Sequence, residues 1–319
     1  MTPTELNNLC IHELEAAGLQ DGKYVAIVGA GPSSPYIPSV GELIEEMSKA
    51  CGVKQRSEQP TWEFFEAAFK SNEQEYCKVI IKSIGMTPYW DSRTYRHIVA
   101  IPFRSFVTFN YDDQLPSAFE AKHPKEYKNR FSVYPLRKGG GLADPCCDFY
   151  EQNLVAIHGY RNDKDQDWPK KIILKLSDYQ NHYIASDTGR PLFSWWKQLL
   201  TSCSCLFIGT SLSEPGIESV VKFLVKQQNP NFLEKKHIHL MPVHPLDKEK
   251  YAYDSNTEVK YSPVEKTFGY IHKLPYDPLN AEFKGLLNIL AAFSKLSVEN
   301  PEPGMLAPEP ITLTSTTEF

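Results

Sequence analysis

A short apolar run that ends in a glycine turn constrains this chain more than any other feature. Residues 24–28 read Tyr-Val-Ala-Ile-Val, and the sequence continues Gly-Ala-Gly-Pro-Ser. An uninterrupted apolar run of this length is typical of a strand buried on both faces of a parallel sheet. Glycines after such a strand let the backbone turn tightly and let a phosphate approach its N–H groups. The segment therefore predicts a first strand over Tyr24–Val28, followed by a phosphate-binding turn made of Gly29, Ala30, Gly31 and Ser33.

This turn differs from the two best-known phosphate-binding sequence patterns. Ser34 stands where the dinucleotide fingerprint Gly-x-Gly-x-x-Gly has its third glycine. The turn also lacks the Gly-Lys-Ser/Thr of a Walker loop. Because glycine turns are common, a plain connection between a strand and a helix explains this segment equally well when it is taken alone.

Strand-like runs alternate with helical patterns along most of the chain. The further predicted strands are Ser105–Phe109, Phe131–Tyr134, Asn153–Ile157, Lys171–Leu174, Cys205–Gly209, His237–Val243 and Gly269–Leu274. The predicted helices include residues 4–17, Ser39–Cys51, Ser177–Ala185, Pro191–Thr201, Glu214–Gln227 and Leu279–Leu296. Such alternation predicts an α/β fold, with a Rossmann-like, mostly parallel sheet and helices on both of its faces.

The sequence divides into one long domain and a tail. We predict a single domain over residues 1–296, with a small helical module inserted at about residues 39–100. Residues 297–319 are rich in proline, and we expect them to form a flexible C-terminal tail.

For the helix that follows the strand Cys205–Gly209, we predict Ser213 as the N-cap, with Pro215 in the first turn.

The composition argues against several classes of protein. The 319 residues carry a net charge of −5 with both signs interspersed, which argues against direct binding to nucleic acid or a membrane surface. No apolar run approaches the roughly 18 residues of a membrane span, and the N-terminus lacks the pattern of a signal peptide. Seven scattered cysteines, an odd number, fit a reducing cytoplasm better than a disulfide framework. Their spacing lacks the paired Cys-x2-Cys motifs of structural zinc sites, so we expect no zinc and no other metal.

Asn110 and Asp112 stand two residues apart at the end of the strand predicted over Ser105–Phe109. In an extended chain, residues at this spacing point to the same side. An amide and a carboxylate that face one pocket suit the recognition of a carboxamide and a ribose. For this segment alone, however, an Asx turn that closes the strand is the commoner explanation.

Two more polar segments follow strand-like runs. His158 ends the run Leu154–Ile157, and histidine is the usual general base near neutral pH, although a single histidine is more often structural. Gly209, Thr210 and Ser211 end a second apolar run, and their hydroxyls predict a further contact with phosphate or ribose.

Taken in order, four short patterns resemble those of the sirtuin superfamily. They are Gly29-Ala30-Gly31-x-Ser33, Thr108-x-Asn110-x-Asp112, His158-Gly159 and Gly209-Thr210-Ser211-Leu212. The resemblance covers about residues 20–295 and implies a domain that binds NAD+.

One departure from the protein deacylases of that superfamily points to a particular branch. Deacylases insert a four-cysteine zinc module after His-Gly, where this chain has the cysteine-free stretch Asn162–Asp167. Together with Asp178-Tyr179 and Glu214-Pro215, this stretch makes the chain similar to the sirtuin-like proteins of bacterial antiphage defence. Those proteins lack the zinc module.

The resemblance to this branch implies an NAD+ hydrolase that releases nicotinamide and ADP-ribose and depletes NAD+ in abortive infection. It implies that Asn110 positions the ribose or the attacking water, that His158 is the general base, and that Asp112 holds the nicotinamide carboxamide. The residues implied for the remainder of the dinucleotide are Gly29, Ala30, Gly31, Ser33, Gly209, Thr210 and Ser211. We also expect His244, near the end of a late strand, to line the adenine.

Two alternative functions remain open, an NAD-dependent protein deacylase and a non-catalytic sensor of NAD+ or ADP-ribose. A deacylase would release nicotinamide only in the presence of an acyl-lysine peptide, and a sensor would bind NAD+ without releasing nicotinamide. A constantly active NAD+ hydrolase would kill its host. We therefore expect assembly into a homo-oligomer, or an activating partner protein, to switch the activity on.

Overall fold

The computed structural model of the protein describes most of the chain up to residue 294. The described residues are 3–33, 37–85, 93–134, 152–161, 167–184, 191–210, 212, 214–242, 271–276 and 284–294. The predicted tail at 297–319 lies outside them, as do Ser211, Ser213, His244 and the stretch 162–166.

Seven parallel strands form a single sheet in the described part of the chain. They are β1 (Tyr24–Val28), β2 (Ser105–Thr108), β3 (Phe131–Val133), β4 (Leu154–Ala156), β5 (Ser204–Ile208), β6 (His237–Pro242) and β7 (Ile271–Tyr276). Their order across the sheet is β3-β4-β2-β1-β5-β6-β7, and every pair of neighbours is parallel. This topology confirms the predicted Rossmann-like α/β fold.

Helices connect most of the strands. They are α1 (Pro3–Ala16), α2 (Val40–Cys51), α3 (Thr61–Ser71), α4 (Glu73–Ile80), α5 (Arg93–Ala100), α6 (Gln114–Lys122), α7 (Tyr127–Arg130), α8 (Trp168–Lys171), α9 (Leu176–Tyr179), α10 (Pro191–Ser202), α11 (Pro215–Lys226), α12 (Pro230–Leu233) and α13 (Lys284–Ser294). Short π-helical segments at Ile81–Gly85 and Gln180–Ile184 continue α4 and α9.

Different helices cover the two faces of the sheet, and β1 contributes alternate residues to each side. Ala26 and Val28 pack in one core cluster with side chains of α1, α5, α6 and α13. Val25 and Ile27 pack in a second cluster with side chains of α10 and α11. Because β1 is buried on both faces, its sequence is apolar at every position and its bounds match the predicted ones.

The helices α2, α3 and α4 lie between β1 and β2 in the sequence. Their buried side chains form a third core cluster. Their cluster also includes Trp168 and Ile172 from the segment after β4. On α3, the Glu66 carboxylate accepts hydrogen bonds from the backbone N–H and the hydroxyl of Ser177, at 3.1 and 2.7 Å. These helices are therefore joined to α9, which lies beside the strand-end loops described below.

Two local predictions are wrong, and in each case tertiary packing explains the difference. Ile172–Leu174, predicted as part of a strand, follows the short helix α8 and joins no strand of the sheet. Its residues are apolar because Ile172 and Ile173 are buried, while the Ile173 N–H donates to the carbonyl of His158 at 2.8 Å. Helix α11 is capped by Glu214, whose side chain accepts from Ile217 N, and Ser213 is not the N-cap.

The loops that follow β1 and β5 touch each other through their backbones. Gly29 N–H donates to the carbonyl of Ile208, and Gly31 N–H donates to the carbonyl of Gly209, each at 2.9 Å. Gly209 has a φ of +61°, and a Cβ atom there would lie 2.3 Å from Cδ of Pro32. Glycine is therefore required at position 209 both by its backbone conformation and by the closeness of the neighbouring loop.

The substitution Gly209→Ala should destabilise the protein by more than about 2 kcal/mol, because it combines a left-handed backbone with a steric clash. The matched control is Gly41→Ala in α2, where the added Cβ would meet only the Ser39 hydroxyl at 3.9 Å. That change should be neutral or stabilise the protein by up to about 1 kcal/mol. Urea unfolding of both variants measures the difference, and equal midpoints would contradict the prediction.

Candidate functional site

The polar segments singled out in the sequence follow the carboxyl ends of four neighbouring strands. The chain passes from β1 to β2 on one side of the sheet and later returns to β5 on the other. Open α/β sheets bind ligands at the carboxyl edge, at the point where the strand order reverses. Here that point lies between β1 and β5. Ser211 and His244 are outside the described residues, so their predicted roles stay predictions.

Asn110 and Asp112, in the loop after β2, belong to one buried hydrogen-bonded cluster. The Asn110 amide nitrogen donates to the carbonyl of Gly29 at 3.0 Å and to the hydroxyl of Tyr95 at 2.9 Å. The Ser33 hydroxyl donates to Asp112 Oδ2 at 3.2 Å and lies 2.5 Å from the Tyr95 hydroxyl. Both side chains therefore reach the same neighbour, Ser33, as their spacing predicts.

The local turn that was the alternative explanation for this segment is present as well. Asp112 Oδ1 accepts a hydrogen bond from Gln114 N at 2.9 Å, while Oδ2 faces Ser33. One carboxylate oxygen thus holds the backbone and the other points into the cluster. Burial raises the pKa of Asp112 to about 6, so its charge is held at a cost in the folded protein.

His158 lies after β4 and is enclosed by aromatic rings. Its ring meets Phe109 and Tyr179 edge-on, with centroid distances of 5.0 and 5.7 Å. Its Nε2 atom is 2.9 Å from the hydroxyl of Tyr183, which in turn accepts a hydrogen bond from Trp196 Nε1 at 3.4 Å. The side chain is 2% exposed, and burial lowers the pKa of His158 to about 3. The imidazole is therefore neutral at physiological pH.

A carboxyl group that the sequence analysis did not assign to the site lies close to the Nε2 atom of His158. Glu214 Oε1 is 3.5 Å from Nε2 of His158. Burial raises the pKa of Glu214 to about 7, and the hydrogen bond from Ile217 N opposes this shift. Both forms of the carboxyl group are therefore populated near neutral pH.

The Tyr183 ring owes its position to a glycine in the first turn of α11. A Cβ atom at Gly216 would lie 2.1 Å from Cε1 of the Tyr183 ring. Tyr183 also stacks on Tyr179, with a centroid distance of 5.7 Å. We call Phe109, Tyr179, Tyr183 and Trp196 the aromatic wall of His158.

In the glycine turn after β1, backbone N–H groups that would be free to bind phosphate in a simple phosphate loop already donate hydrogen bonds within the protein. The N–H groups of Gly29 and Gly31 donate to carbonyls at the end of β5. Ala30, between them, is exposed. The Thr210 hydroxyl is buried and has no hydrogen-bond partner among the described residues.

Three site residues escaped sequence reasoning, namely Tyr95, Tyr183 and Glu214. Tyr95 belongs to α5 and Tyr183 to a π-helical segment, far in sequence from the motifs they contact. Glu214 does have a usable signal, because it stands just before a proline at the start of a helix after an apolar strand.

Within the residues that the structure describes, no group of three or more histidine, cysteine, aspartate or glutamate side chains is arranged to hold a metal ion. Among the described helices, none has the length and apolar character to span a bilayer.

Comparison with known proteins agrees with this arrangement. The model of the SIR2-like domain family matches residues 104–260, which include Asn110, Asp112, His158 and Glu214. Residues 104–260 are therefore similar to a SIR2-like domain, and this similarity suggests NAD-dependent activity in general. A solved structure from work on the structural basis for the mechanism and regulation of Sir2 enzymes matches with 12% identity and a TM-score of 0.38, covering 90% of this chain and 98% of that one. No curated protein matches the sequence.

The burial of Asp112 predicts a pH-dependent cost in stability. Its folded-state pKa is about 6, above the ordinary value of 3.8, so stability is lost as the pH rises from about 4 to about 6. The variant Asp112→Asn keeps the shape of the side chain and carries no charge. At pH 8 the free energy of unfolding of this variant should exceed that of the natural chain by up to about 3 kcal/mol more than it does at pH 4.

Urea unfolding at the two pH values measures this difference. Asp113→Asn is the control, since it removes a neighbouring carboxylate whose side chain is 35% exposed. A gain for Asp112→Asn that is the same at both pH values would contradict the prediction.

Proposed function

We propose that the protein hydrolyses NAD+ to nicotinamide and ADP-ribose in the cytoplasm, as an NAD-depleting effector of antiphage defence. One observation carries the proposal. A buried amide, a buried carboxylate and a neutral buried imidazole, those of Asn110, Asp112 and His158, follow two adjacent strands of a sirtuin-like domain. NAD+ is the substrate in this proposal, and its reacting half carries the groups that these side chains recognise.

The nicotinamide end fits the acidic side of the site. The Asp112 carboxylate would accept a hydrogen bond from the carboxamide N–H of nicotinamide. The Asn110 amide is held in one orientation by its bonds to Gly29 and Tyr95, and it would position the attacking water at the ribose. A buried group that is already oriented costs little further entropy when the substrate arrives.

The reaction breaks the bond between the ribose C1′ atom and the nicotinamide nitrogen. The electron pair of that bond leaves with nicotinamide, and C1′ becomes oxocarbenium-like, as in glycoside cleavage. Water forms the new bond to C1′, and its proton passes to the imidazole of His158. The imidazole is neutral, so its free ring nitrogen can accept this proton.

The remaining part of the dinucleotide would lie along the switch point of the sheet. Ala30 and the Thr210 hydroxyl are suited to the pyrophosphate and ribose, with Ser211 and His244 assigned to the adenosine end. Assembly into a homo-oligomer, or a partner protein, would order this pocket and switch on hydrolysis.

The test is nicotinamide release by purified protein, alone and after enforced assembly. His158→Ala and Asn110→Ala should each lower turnover at least about a hundredfold, because a positioned base typically contributes ~10²–10⁴ in rate. The controls are His12→Ala and Asn8→Ala on α1, since both of these side chains are exposed.

Three outcomes separate the alternatives. Nicotinamide release that depends on an acyl-lysine peptide identifies a deacylase. NAD+ binding without release, in every assembly state, identifies a sensor. Full turnover in either site variant removes that residue from the mechanism.

A further inference from the structure

The imidazole of His158 is approached at one nitrogen by two oxygen-bearing side chains from different elements. Glu214, at the start of α11, places Oε1 3.5 Å from Nε2. Tyr183, in the π-helical segment after α9, places its hydroxyl 2.9 Å from the same atom. The opposite ring nitrogen, Nδ1, is therefore the one that remains for a substrate proton.

Only one of the two carboxylate oxygens of Glu214 is used to cap helix α11. Its Oε2 atom accepts the N–H of Ile217 at 2.8 Å, which completes the cap. Its Oε1 atom is buried and accepts no short, well-aligned hydrogen bond among the described residues. The Tyr179 hydroxyl interacts with the carboxyl group and lowers its pKa, against the larger effect of burial. Serine, threonine, asparagine or aspartate caps a helix with one oxygen and without this burden. A buried carboxylate oxygen without a donor is costly, and it persists where a site uses it.

We propose that Glu214 is the positioning residue of His158: its carboxylate accepts a hydrogen bond from Nε2–H and leaves Nδ1 as the basic nitrogen. The inference rests on the proposed function, in which His158 takes the proton of the attacking water. When that proton binds Nδ1, the imidazolium is stabilised by the negative charge beside Nε2. The same logic orients the histidine of a serine protease triad.

The aromatic wall supports this arrangement. The Tyr183 oxygen accepts a hydrogen bond from Trp196, and its second lone pair can accept from the N–H at Nε2 of His158. Gly216 leaves the space that the Tyr183 ring fills. The distance of 3.5 Å from Glu214 is long for a hydrogen bond, and catalytic hydrogen bonds often tighten only when substrate is bound.

The ionisation of Glu214 adds a dependence on pH. Its pKa of about 7 means that the ionised, hydrogen-bond-accepting form increases between pH 6 and pH 8. The other titratable groups that act on the pair are Tyr111, Tyr179, Tyr183, His182 and Glu218. Burial raises the pKa of the three tyrosines further above 10, so they stay neutral across this range.

The variant Glu214→Gln keeps an oxygen for the helix cap and removes the charge. We expect kcat for nicotinamide release to fall ten- to a hundredfold, with KM for NAD+ changed less than threefold. The melting temperature at pH 8 should be no lower than that of the natural chain, because a buried charge is removed. We also expect the rise of kcat between pH 6 and pH 8 to disappear. Glu214→Asp keeps the charge and should restore part of kcat.

Glu218→Gln is the matched control, because it removes a carboxylate one turn further along the same helix. Glu218 pairs with Lys222 on the surface of α11. This variant should retain kcat and KM, and its kcat should still rise with pH. That rise should move slightly to lower pH, because the Glu218 charge that helps to raise the pKa of Glu214 is gone. Loss of kcat in Glu218→Gln equal to that in Glu214→Gln would assign the effect to general charge and overturn the inference.

A spectroscopic measurement tests the same inference without any turnover. Long-range ¹H–¹⁵N spectra report the tautomer of each of the nine histidines, and His158→Gln assigns the relevant signals. At pH 8 the ring of His158 should be protonated at Nε2, and Glu214→Gln should shift it toward Nδ1. An identical tautomer in both proteins, together with retained kcat, makes Glu214 a helix cap only. If no nicotinamide is released at all, the proposed function fails, and the tautomer still decides the role of Glu214.

Discussion

The backbone contact between the loops after β1 and β5 holds the whole carboxyl edge of the sheet together. Two N–H groups of the first loop bond to carbonyls at the end of β5, and Gly209 brings the two chains close enough for this. The loop after β2 joins the same unit, because the Asn110 amide donates to the carbonyl of Gly29. A Cβ at this junction would push apart three strand ends at once. The polar side chains that follow these strands are therefore positioned both by the contact between the loops and by their own hydrogen bonds.

Burial acts in opposite directions on the acids and the base of the site. It raises the pKa values of Asp112 and Glu214 and lowers that of His158, so each group is biased toward its neutral form. Because the imidazole of His158 is neutral, it forms no ion pair with either carboxyl group before substrate arrives. Such shifted groups are frequent in functional sites, where stability is exchanged for reactivity.

The features that follow from local chemistry are visible in the sequence, and those that depend on long-range packing are not. The bounds of β1 and the shared side of Asn110 and Asp112 follow from a buried run and a two-residue repeat. Ile172–Leu174 has the composition of a strand, yet the segment is buried beside His158 without joining the sheet. Tyr95 and Tyr183 contact the site from helical segments, and no sequence motif around either residue predicts these contacts.

The bond between Glu66 and Ser177 links a remote helical layer to the chemistry. Ser177 lies two residues before Tyr179, and Tyr179 and Tyr183 both border the imidazole of His158. Trp62, also on α3, packs against Tyr179, with 6.0 Å between the two ring centroids. A shift of α3 would therefore displace the Glu66 carboxylate and the Trp62 indole, which contact the segment that carries Tyr179. The helices inserted after β1 therefore help to fix the position of the aromatic wall of His158, through contacts far from the sheet in sequence.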